Sequence, residues 1–234
     1  MLPFGKTNVP VVGVGLAGGL GNQMFQYAAG LSLAGRLGAE LRCDAHHFVG
    51  GGQRQLGLHE FGVSWTECRN PRANGTLRAI ARALGASKSR PFRGAPYLDE
   101  VFGGFDPRFN GLSAPCYLNG YFQSWRYLVG QEASIRRAFD FGRITSENTA
   151  PIAARIAAAR HPVAVHLRLD DYANDPGKRA FHGVLGADYY REARRAIEAK
   201  VDVPTYFLFS DEPARAKAEL GWPDLVVVDR KSVV

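Results

Sequence analysis

The stretch Gly18-Gly19-Leu20-Gly21-Asn22-Gln23-Met24 decides the fold of the first part of this chain. It follows an apolar segment, residues 11–16, that is typical of a buried strand, and it precedes residues 23–37, whose pattern predicts a helix. A glycine-rich turn between a strand and a helix lets a phosphate approach backbone N–H groups and the positive end of the helix. Asn22 and Gln23 would offer side-chain amides at the edge of this turn. The sequence therefore predicts a nucleotide or nucleotide-sugar site here.

Two other interpretations of these glycines stay open. Gly13, Gly15 and Gly18 also form the G-x-G-x-x-G pattern of dinucleotide-binding domains. Asp44 ends the next predicted strand, where such domains carry an acidic residue that binds ribose. Alternatively, the glycines only allow the strand and the helix to pack closely.

Strand and helix signals alternate at both ends of the chain and break up between residues 50 and 115. The predicted strands are 11–16, 40–44, 117–121, 163–169, 205–210 and 225–229, and the predicted helices are 23–37, 77–84, 132–139, 151–160, 188–200 and 213–220. This pattern predicts two α/β domains, residues 1–150 and 151–234, that face each other across a cleft. Polar clusters at residues 18–22, 166–171 and 210–212 lie at the ends of strands or just past them, so all three would lie at the carboxyl ends where such sheets bind ligands.

Five blocks carry a resemblance to a known family. They are Gly-Gly-Leu-Gly-Asn-Gln-Met-Phe-Gln-Tyr-Ala at 18–28, Tyr-Leu-Asn-Gly-Tyr-Phe-Gln-Ser-Trp at 117–125, His-Leu-Arg-Leu-Asp-Asp-Tyr at 166–172, Asp-Tyr-Tyr at 188–190 and Tyr-Phe-Leu-Phe-Ser-Asp-Glu at 206–212. In this order they resemble the blocks of the bacterial α-1,2-fucosyltransferases, glycosyltransferase family 11. The resemblance implies a GT-B-like fold with two Rossmann-like domains. It also implies an inverting transfer of fucose from GDP-fucose to the 2-hydroxyl of a galactose-containing glycan, without a metal or another cofactor.

The central strand carries the predicted catalytic residues. Arg168 would stabilise the negative charge that grows on the leaving diphosphate, because its guanidinium can bind two phosphate oxygens. The alternative is a structural arginine that pairs with a neighbouring carboxylate. The resemblance implies a donor-side role for His166, which could instead only brace the loop. Asp171 either holds the loop or takes the proton of the acceptor hydroxyl.

The predicted donor-binding residues come from both domains. The first domain contributes its turn and the second the end of a strand, so the set is Gly19, Gly21, Asn22, Gln23, Ser210 and Asp211. Ser210 has an alternative role as the N-cap of the helix that follows. Tyr121 and Trp125 either form acceptor surface together with Gln123 or pack into the core.

The chain departs from the family pattern in two places. Leu169 stands where the second arginine of the central block is expected, and one charge-assisted hydrogen bond contributes about 1.5–3 kcal/mol. The chain also ends at Val234, before an expected Trp-Trp-containing block, so we expect the second domain to be incomplete. These departures predict a slow enzyme; the alternative is a truncated, non-catalytic protein that binds sugar nucleotides.

The amino-acid composition narrows the classes of function and the cellular location that the sequence allows. The net charge is +7, from 29 basic and 22 acidic residues, but the basic residues are dispersed, which does not favour nucleic-acid binding. The basic stretch at 69–93 is either a solvated face or a contact with a membrane surface. Three widely spaced cysteines predict neither disulfides nor zinc, and Asp170-Asp171 beside Arg168 is not expected to hold a metal. No targeting or spanning segment is evident, so we expect a cytoplasmic protein, either free or peripheral to the inner membrane.

Overall fold

The structure, a computed structural model, describes residues 9–49, 54–72, 92, 94–101, 104–144, 149–169 and 185–228. The chain forms two compact units, Met1–Ile144 and Thr145–Val234. The division falls close to the predicted boundary between residues 150 and 151.

The first unit contains a five-stranded sheet in the order β3-β2-β1-β5-β4, and every neighbouring pair is parallel. Its elements are β1 (Val11–Gly15), α1 (Leu20–Leu37), β2 (Glu40–Asp44), β3 (Thr66–Glu67), β4 (Tyr97–Asp99), β5 (Cys116–Asn119) and α2 (Glu132–Ala138). Short 3₁₀ helices lie at His46–Phe48, Leu58–Phe61, Pro107–Gly111, Trp125–Tyr127 and Phe141–Ile144.

Small residues let α1 pack closely on the sheet. A side chain at Gly30 would place its Cβ 2.7 Å from Leu41 Cδ1 and 3.1 Å from Val14 Cγ1, so Leu41 would have to move to accept any larger residue. Leu33 and its neighbours on the same face are buried in the main core of the unit. The helix ends at Leu37, and its C-cap Gly38 adopts the left-handed conformation with φ of 60°.

The second unit contains a three-stranded parallel sheet in the order β6-β7-β8. Its elements are α3 (Ala150–Ala158), β6 (Pro162–Leu167), α4 (Ala187–Glu198), β7 (Thr205–Ser210), α5 (Pro213–Leu220) and β8 (Val226–Val228). One face of the sheet forms a core with α5, in which Val165, Leu208 and Trp222 are buried.

The structure confirms the predicted α/β class with parallel sheets. The predicted helix at 77–84 lies outside the described residues, and the arrangement of two domains across a cleft stays a prediction. Strands β3 and β4 were missed, because segments of two and three residues carry no readable alternation. Within the described residues, no helix has the length and apolar character needed to cross a membrane.

Candidate functional site

A cavity of about 440 Å³ lies at the carboxyl edge of the first sheet. The strand order reverses at β1, with β2 and β3 on one side and β5 and β4 on the other. Ligands of open parallel sheets bind at such a reversal. The cavity is lined by residues 15–17 at the end of β1 and after it, by Asp44, His46 and His47 at the end of β2 and after it, by residues 119–121 at the end of β5 and after it, and by Gln26, Asn70 and Tyr117.

Asp44 is held by hydrogen bonds from the cavity wall. Its Oδ1 accepts the backbone N–H of His46 at 3.0 Å, and its Oδ2 accepts the backbone N–H of Asn70 at 2.6 Å. The hydroxyl of Tyr117 lies 3.5 Å from Oδ2, and burial and Asp44 both raise the pKa of this tyrosine. Asp44 therefore anchors the segments that follow β2 and β3.

The first glycine of the dinucleotide pattern has a packing role. A Cβ at Gly13 would lie 2.5 Å from Phe92 Cζ and 2.7 Å from Tyr117 Cδ2. Gly13 is therefore required by aromatic rings inside the unit. Together with the bonds that occupy Asp44, this packing weakens the dinucleotide interpretation.

Gly19 and Gly21 are different, because an added Cβ at either position meets no described atom within 4 Å. Gly19 is the N-cap of α1 with φ of −73°, a conformation open to any residue. The first turn of α1 carries no acidic residue and no side-chain cap. Among the described residues, internal packing does not explain these two glycines, which leaves the N-terminus of α1 open to an anion.

Gln23 does not match its predicted donor-binding role. The residue is 0% exposed. Its Nε2 donates to the carbonyls of Gly18 at 2.9 Å and Gln55 at 2.8 Å, and its Oε1 accepts the N–H of Gly57 at 2.9 Å. These bonds tie the glycine turn to residues 55–57, so Gln23 braces the site from behind.

Asn22 and Gln26 both bond to the segment that follows β5, and Gln26 also lines the cavity. Asn22 is half-buried, and its Oδ1 accepts a 2.6 Å hydrogen bond from Gln123 Nε2. The sequence analysis did not predict Gln26 as a residue of the site. Its Oε1 accepts the N–H of Ala17 at 2.9 Å and its Nε2 donates to the carbonyl of Gly120 at 3.0 Å. Gln26 thereby joins the ends of β1 and β5 at the cavity.

The expectation that Tyr121 and Trp125 pack into the core is wrong. Trp125 is 73% exposed and Tyr121 is 36% exposed. Both follow the end of β5, and Trp125 begins the 3₁₀ helix Trp125–Tyr127. They remain available for an acceptor.

In the second unit, three predicted residues lie at the ends of adjacent strands. Asp211 Oδ1 accepts the backbone N–H of Leu169 at 2.9 Å, and its Oδ2 lies 3.9 Å from Arg168 Nε. His166 is exposed on β6, and its carbonyl accepts a 3.0 Å hydrogen bond from the Tyr190 hydroxyl. The guanidinium of Arg168 is thus held beside a carboxylate at the carboxyl edge of the sheet.

The other residues singled out in the second unit are Ser210, Leu169 and Asp171. Ser210 does not cap the following helix, whose N-cap is Glu212; its hydroxyl instead accepts the N–H of Glu212 at 3.1 Å. Leu169 is 4% exposed and packs in the core. Asp171 lies outside the described residues.

The basic stretch and the cysteines are partly described. Arg72 lies over the ring of Tyr97, 3.9 Å from its centroid, and Arg69 lies 3.9 Å from Asp44, so both contact their own unit. The three cysteines are free and buried, and burial raises the pKa of each thiol, that of Cys116 to about 11. In the described ranges, no group of three or more His, Cys, Asp or Glu side chains could hold a metal ion.

Sequence comparison links the chain to glycosyltransferases. It is 28% identical over 206 residues to an α-1,2-colitosyltransferase of Escherichia coli, covering 84% of this chain and 67% of that protein. It is 26% identical over 220 residues to the O-antigen biosynthesis glycosyltransferase WbnK of Escherichia coli, covering 84% and 71%. The chain is therefore a homologue of bacterial glycosyltransferases.

Comparisons with protein-family profiles and with solved structures give no further assignment. No protein-family profile matches the chain. Among solved structures, the fucosyltransferase NodZ from Bradyrhizobium superimposes with a TM-score of 0.47 at 16% identity, over 96% of this chain and 79% of that one.

Proposed function

We propose that this protein is an inverting glycosyltransferase that moves fucose from GDP-fucose to the 2-hydroxyl of a galactose residue in a glycan. The observation that carries the proposal is homology, over 84% of the chain, to a protein named for α-1,2 transfer of a hexose derivative. The motif resemblance to α-1,2-fucosyltransferases supports the same linkage. The open N-terminus of α1 and the guanidinium at the end of β6 supply two places for anionic groups.

The proposed chemistry needs a cation beside the leaving group. The acceptor 2-hydroxyl attacks the anomeric carbon of fucose, the bond from that carbon to the diphosphate breaks, and GDP leaves with an added negative charge. Arg168 stabilises this charge more strongly in the transition state than in the ground state. In the proposal no metal or other cofactor takes part, since the guanidinium replaces the charge of an ion.

Asp211 gives Arg168 a fixed position in this scheme. The carboxylate accepts the backbone N–H of Leu169 and lies 3.9 Å from the guanidinium, so it favours arginine conformations that keep the two charges close. An ordered arginine loses less conformational freedom when a diphosphate binds. Asp171 is proposed either to hold the same loop or to accept the hydroxyl proton.

One comparison favours a second donor. Colitose is a fucose that lacks one hydroxyl, and the colitosyltransferase is similar to this chain over most of its length. A GDP-linked colitose would place its diphosphate against the same residues. Measuring transfer rates with the two GDP-sugars distinguishes these donors.

Thermal unfolding of the full chain with GDP, GDP-fucose and NAD tests the donor class. We expect GDP and GDP-fucose to raise Tm and NAD to leave it unchanged, because only binding to the folded state stabilises it. Stabilisation by NAD but not by GDP would instead favour a dinucleotide-dependent oxidoreductase.

Product analysis separates an enzyme from a non-catalytic binder. The chain is incubated with GDP-fucose and lactose, and NMR of the product identifies the linkage. We expect an α-1,2 linkage. GDP binding without turnover of any tested acceptor would favour the non-catalytic alternative.

The proposal also includes attachment of the protein to an inner membrane through the basic stretch at residues 69–93. Sedimentation with lipid vesicles tests this attachment.

A further inference from the structure

We propose that Tyr190 is a positioning residue for the transfer reaction, which holds the carboxyl end of β6 and with it the point from which the Arg168 side chain extends. This inference rests on the proposed function, because it adds a residue to the proposed donor site. The Tyr190 hydroxyl donates a 3.0 Å hydrogen bond to the backbone carbonyl of His166, just before Arg168 in the chain. The bond uses the backbone of His166 rather than its imidazole, so it acts on the path of the strand.

Arg168 lies between two hydrogen bonds that come from different elements. On its N-terminal side, Tyr190 of α4 bonds the carbonyl of His166. On its C-terminal side, the backbone N–H of Leu169 donates to Asp211, which follows β7. The backbone on either side of Arg168 is therefore tied to a neighbouring element, and both ties determine where the guanidinium can reach.

The end of β6 receives less support from the sheet than its neighbour does. Among the described strands, β6 pairs only with β7, whereas β7 lies between β6 and β8. A strand at the edge of a sheet leaves a row of backbone N–H and C=O groups without a partner strand. A side-chain donor that bonds a carbonyl near the end of such a strand adds order where the sheet supplies less of it.

Tyr190 projects from a helix face that is fixed to the second unit. Arg194 follows it at the i+4 position of α4, so the two side chains lie on the same side of the helix. The Arg194 guanidinium bonds both carboxylate oxygens of Asp224, at 2.9 and 2.8 Å. It also lies over the rings of Tyr206 and Trp222, 4.8 and 4.7 Å from their centroids. These contacts hold α4 in place, which gives the Tyr190 hydroxyl a defined position.

The neighbouring tyrosine provides an internal comparison. Tyr189 is 52% exposed, and its ring meets that of Tyr190 edge-on at a centroid distance of 5.2 Å. Burial and, to a smaller extent, Tyr189 raise the pKa of Tyr190, so its hydroxyl keeps its proton at neutral pH and donates. Within the part of the chain that the structure describes, the Tyr189 hydroxyl makes no hydrogen bond to β6.

Tyr190→Phe and Tyr189→Phe form a matched pair, since each removes one hydroxyl and keeps the ring. Amide hydrogen exchange of the full chain, followed by NMR without any ligand, measures the local order of residues 167–169. We expect Tyr190→Phe to speed exchange there by about fivefold, as for one lost hydrogen bond, and to leave the amides of α5 unchanged. Tyr189→Phe should change neither. Unchanged exchange at 167–169 in Tyr190→Phe, equal acceleration in both variants, or uniform acceleration over the whole unit would overturn the inference.

A double-mutant cycle with Arg168 shows whether Tyr190 acts through the guanidinium. Transfer of fucose from GDP-fucose to lactose is measured for the wild type, Tyr190→Phe, Arg168→Ala and the double variant. We expect Tyr190→Phe to lower kcat by about fivefold, with the KM for lactose unchanged, and to have no further effect once Arg168 is alanine. The same loss with and without the arginine would show a merely structural role and overturn the inference.

The two experiments fail in different ways. The exchange measurement needs no donor and no turnover. If the wild type does not transfer fucose while exchange at residues 167–169 responds to Tyr190→Phe as expected, the proposed function fails and the tie between α4 and β6 stands. If the wild type transfers fucose and either experiment gives the opposite result, the inference fails alone.

Discussion

Asp211 and Leu169 are joined by a 2.9 Å hydrogen bond from the Leu169 backbone N–H to Asp211 Oδ1, which ties the end of β7 to the end of β6. Asp211 is mostly buried, with 15% of its side chain exposed, and its other oxygen lies 3.9 Å from Arg168 Nε. One carboxylate therefore holds the backbone at the proposed donor site and lies within ion-pair distance of the guanidinium. The arrangement gives Asp211 a structural role in addition to its predicted place near the nucleotide.

Asp211→Ala should lower the free energy of unfolding by about 1–3 kcal/mol, because a largely buried N–H loses its acceptor. Asp211→Asn should cost less, since its amide oxygen can still accept that hydrogen bond. Urea unfolding measures both, and Glu212→Ala next to it, an exposed change, should stay within about 0.5 kcal/mol. Equal stability of all three variants would contradict this role.

Leu169→Arg should not supply the second arginine that the motif resemblance predicts at this position. The side chain belongs to the buried cluster that contains Val165 and Leu208 and is almost fully buried, so a guanidinium there would have to leave water. We expect a loss of at least about 3 kcal/mol in urea unfolding, whereas Leu169→Met should cost less than about 1.5 kcal/mol. Unchanged stability together with faster transfer in Leu169→Arg would show that the guanidinium reaches the donor.

Gln23→Ala should destabilise the first unit. The change leaves one N–H and two carbonyls of residues 18, 55 and 57 without their partner, at a cost of about 3 kcal/mol or more. Asn22→Ala is the matched comparison, because it removes a single hydrogen bond to Gln123 at a cost of about 1 kcal/mol. Thermal unfolding compares them; a smaller loss for Gln23→Ala than for Asn22→Ala would be inconsistent with the bracing role.

Gly21→Ala and Gly13→Ala should have opposite effects on stability. Alanine at position 21 meets open space in a helix and should add about 0.5–1 kcal/mol, whereas alanine at 13 meets two aromatic rings and should cost about 1–3 kcal/mol. If the space at Gly21 belongs to the donor, Gly21→Ala should weaken GDP-fucose binding by about fivefold, a loss of about 1 kcal/mol. Calorimetric titration measures this affinity; a more stable variant with unchanged affinity would remove Gly21 from the site.

The sequence predicted those elements whose pattern is local. The strand Glu40–Asp44, the strand Thr205–Ser210 and the helix Pro213–Leu220 have the predicted bounds, because periodicity and proline or glycine punctuation define them without help from distant residues. The short strand Thr66–Glu67 exists only through its pairing with β2, in the register Arg42↔Thr66, which no local pattern encodes.

The site was predicted less completely than the fold, because its residues come together through contacts between distant segments of the chain. Gln23 was assigned to the donor because it lies at the turn, but its bonding partners at residues 55 and 57 are distant in sequence. The cavity brings His46, Asn70 and Asn119 together from three separate segments, and only the strand order places them at one edge. The exposure of Trp125 likewise could not be predicted from the sequence, since the burial of its side chain depends on the path of the chain after β5.

Steady-state transfer of fucose from GDP-fucose to lactose by the wild type and by Arg168→Ala tests the central claim most directly. Arg215→Ala is the control, because Arg215 is an exposed arginine of the same unit that pairs with Glu219 at 3.0 Å. We predict that Arg168→Ala lowers kcat/KM by about 10- to 150-fold, as for loss of one charge-assisted contact, and that Arg215→Ala leaves it unchanged. Equal rates for the wild type and Arg168→Ala would contradict the account.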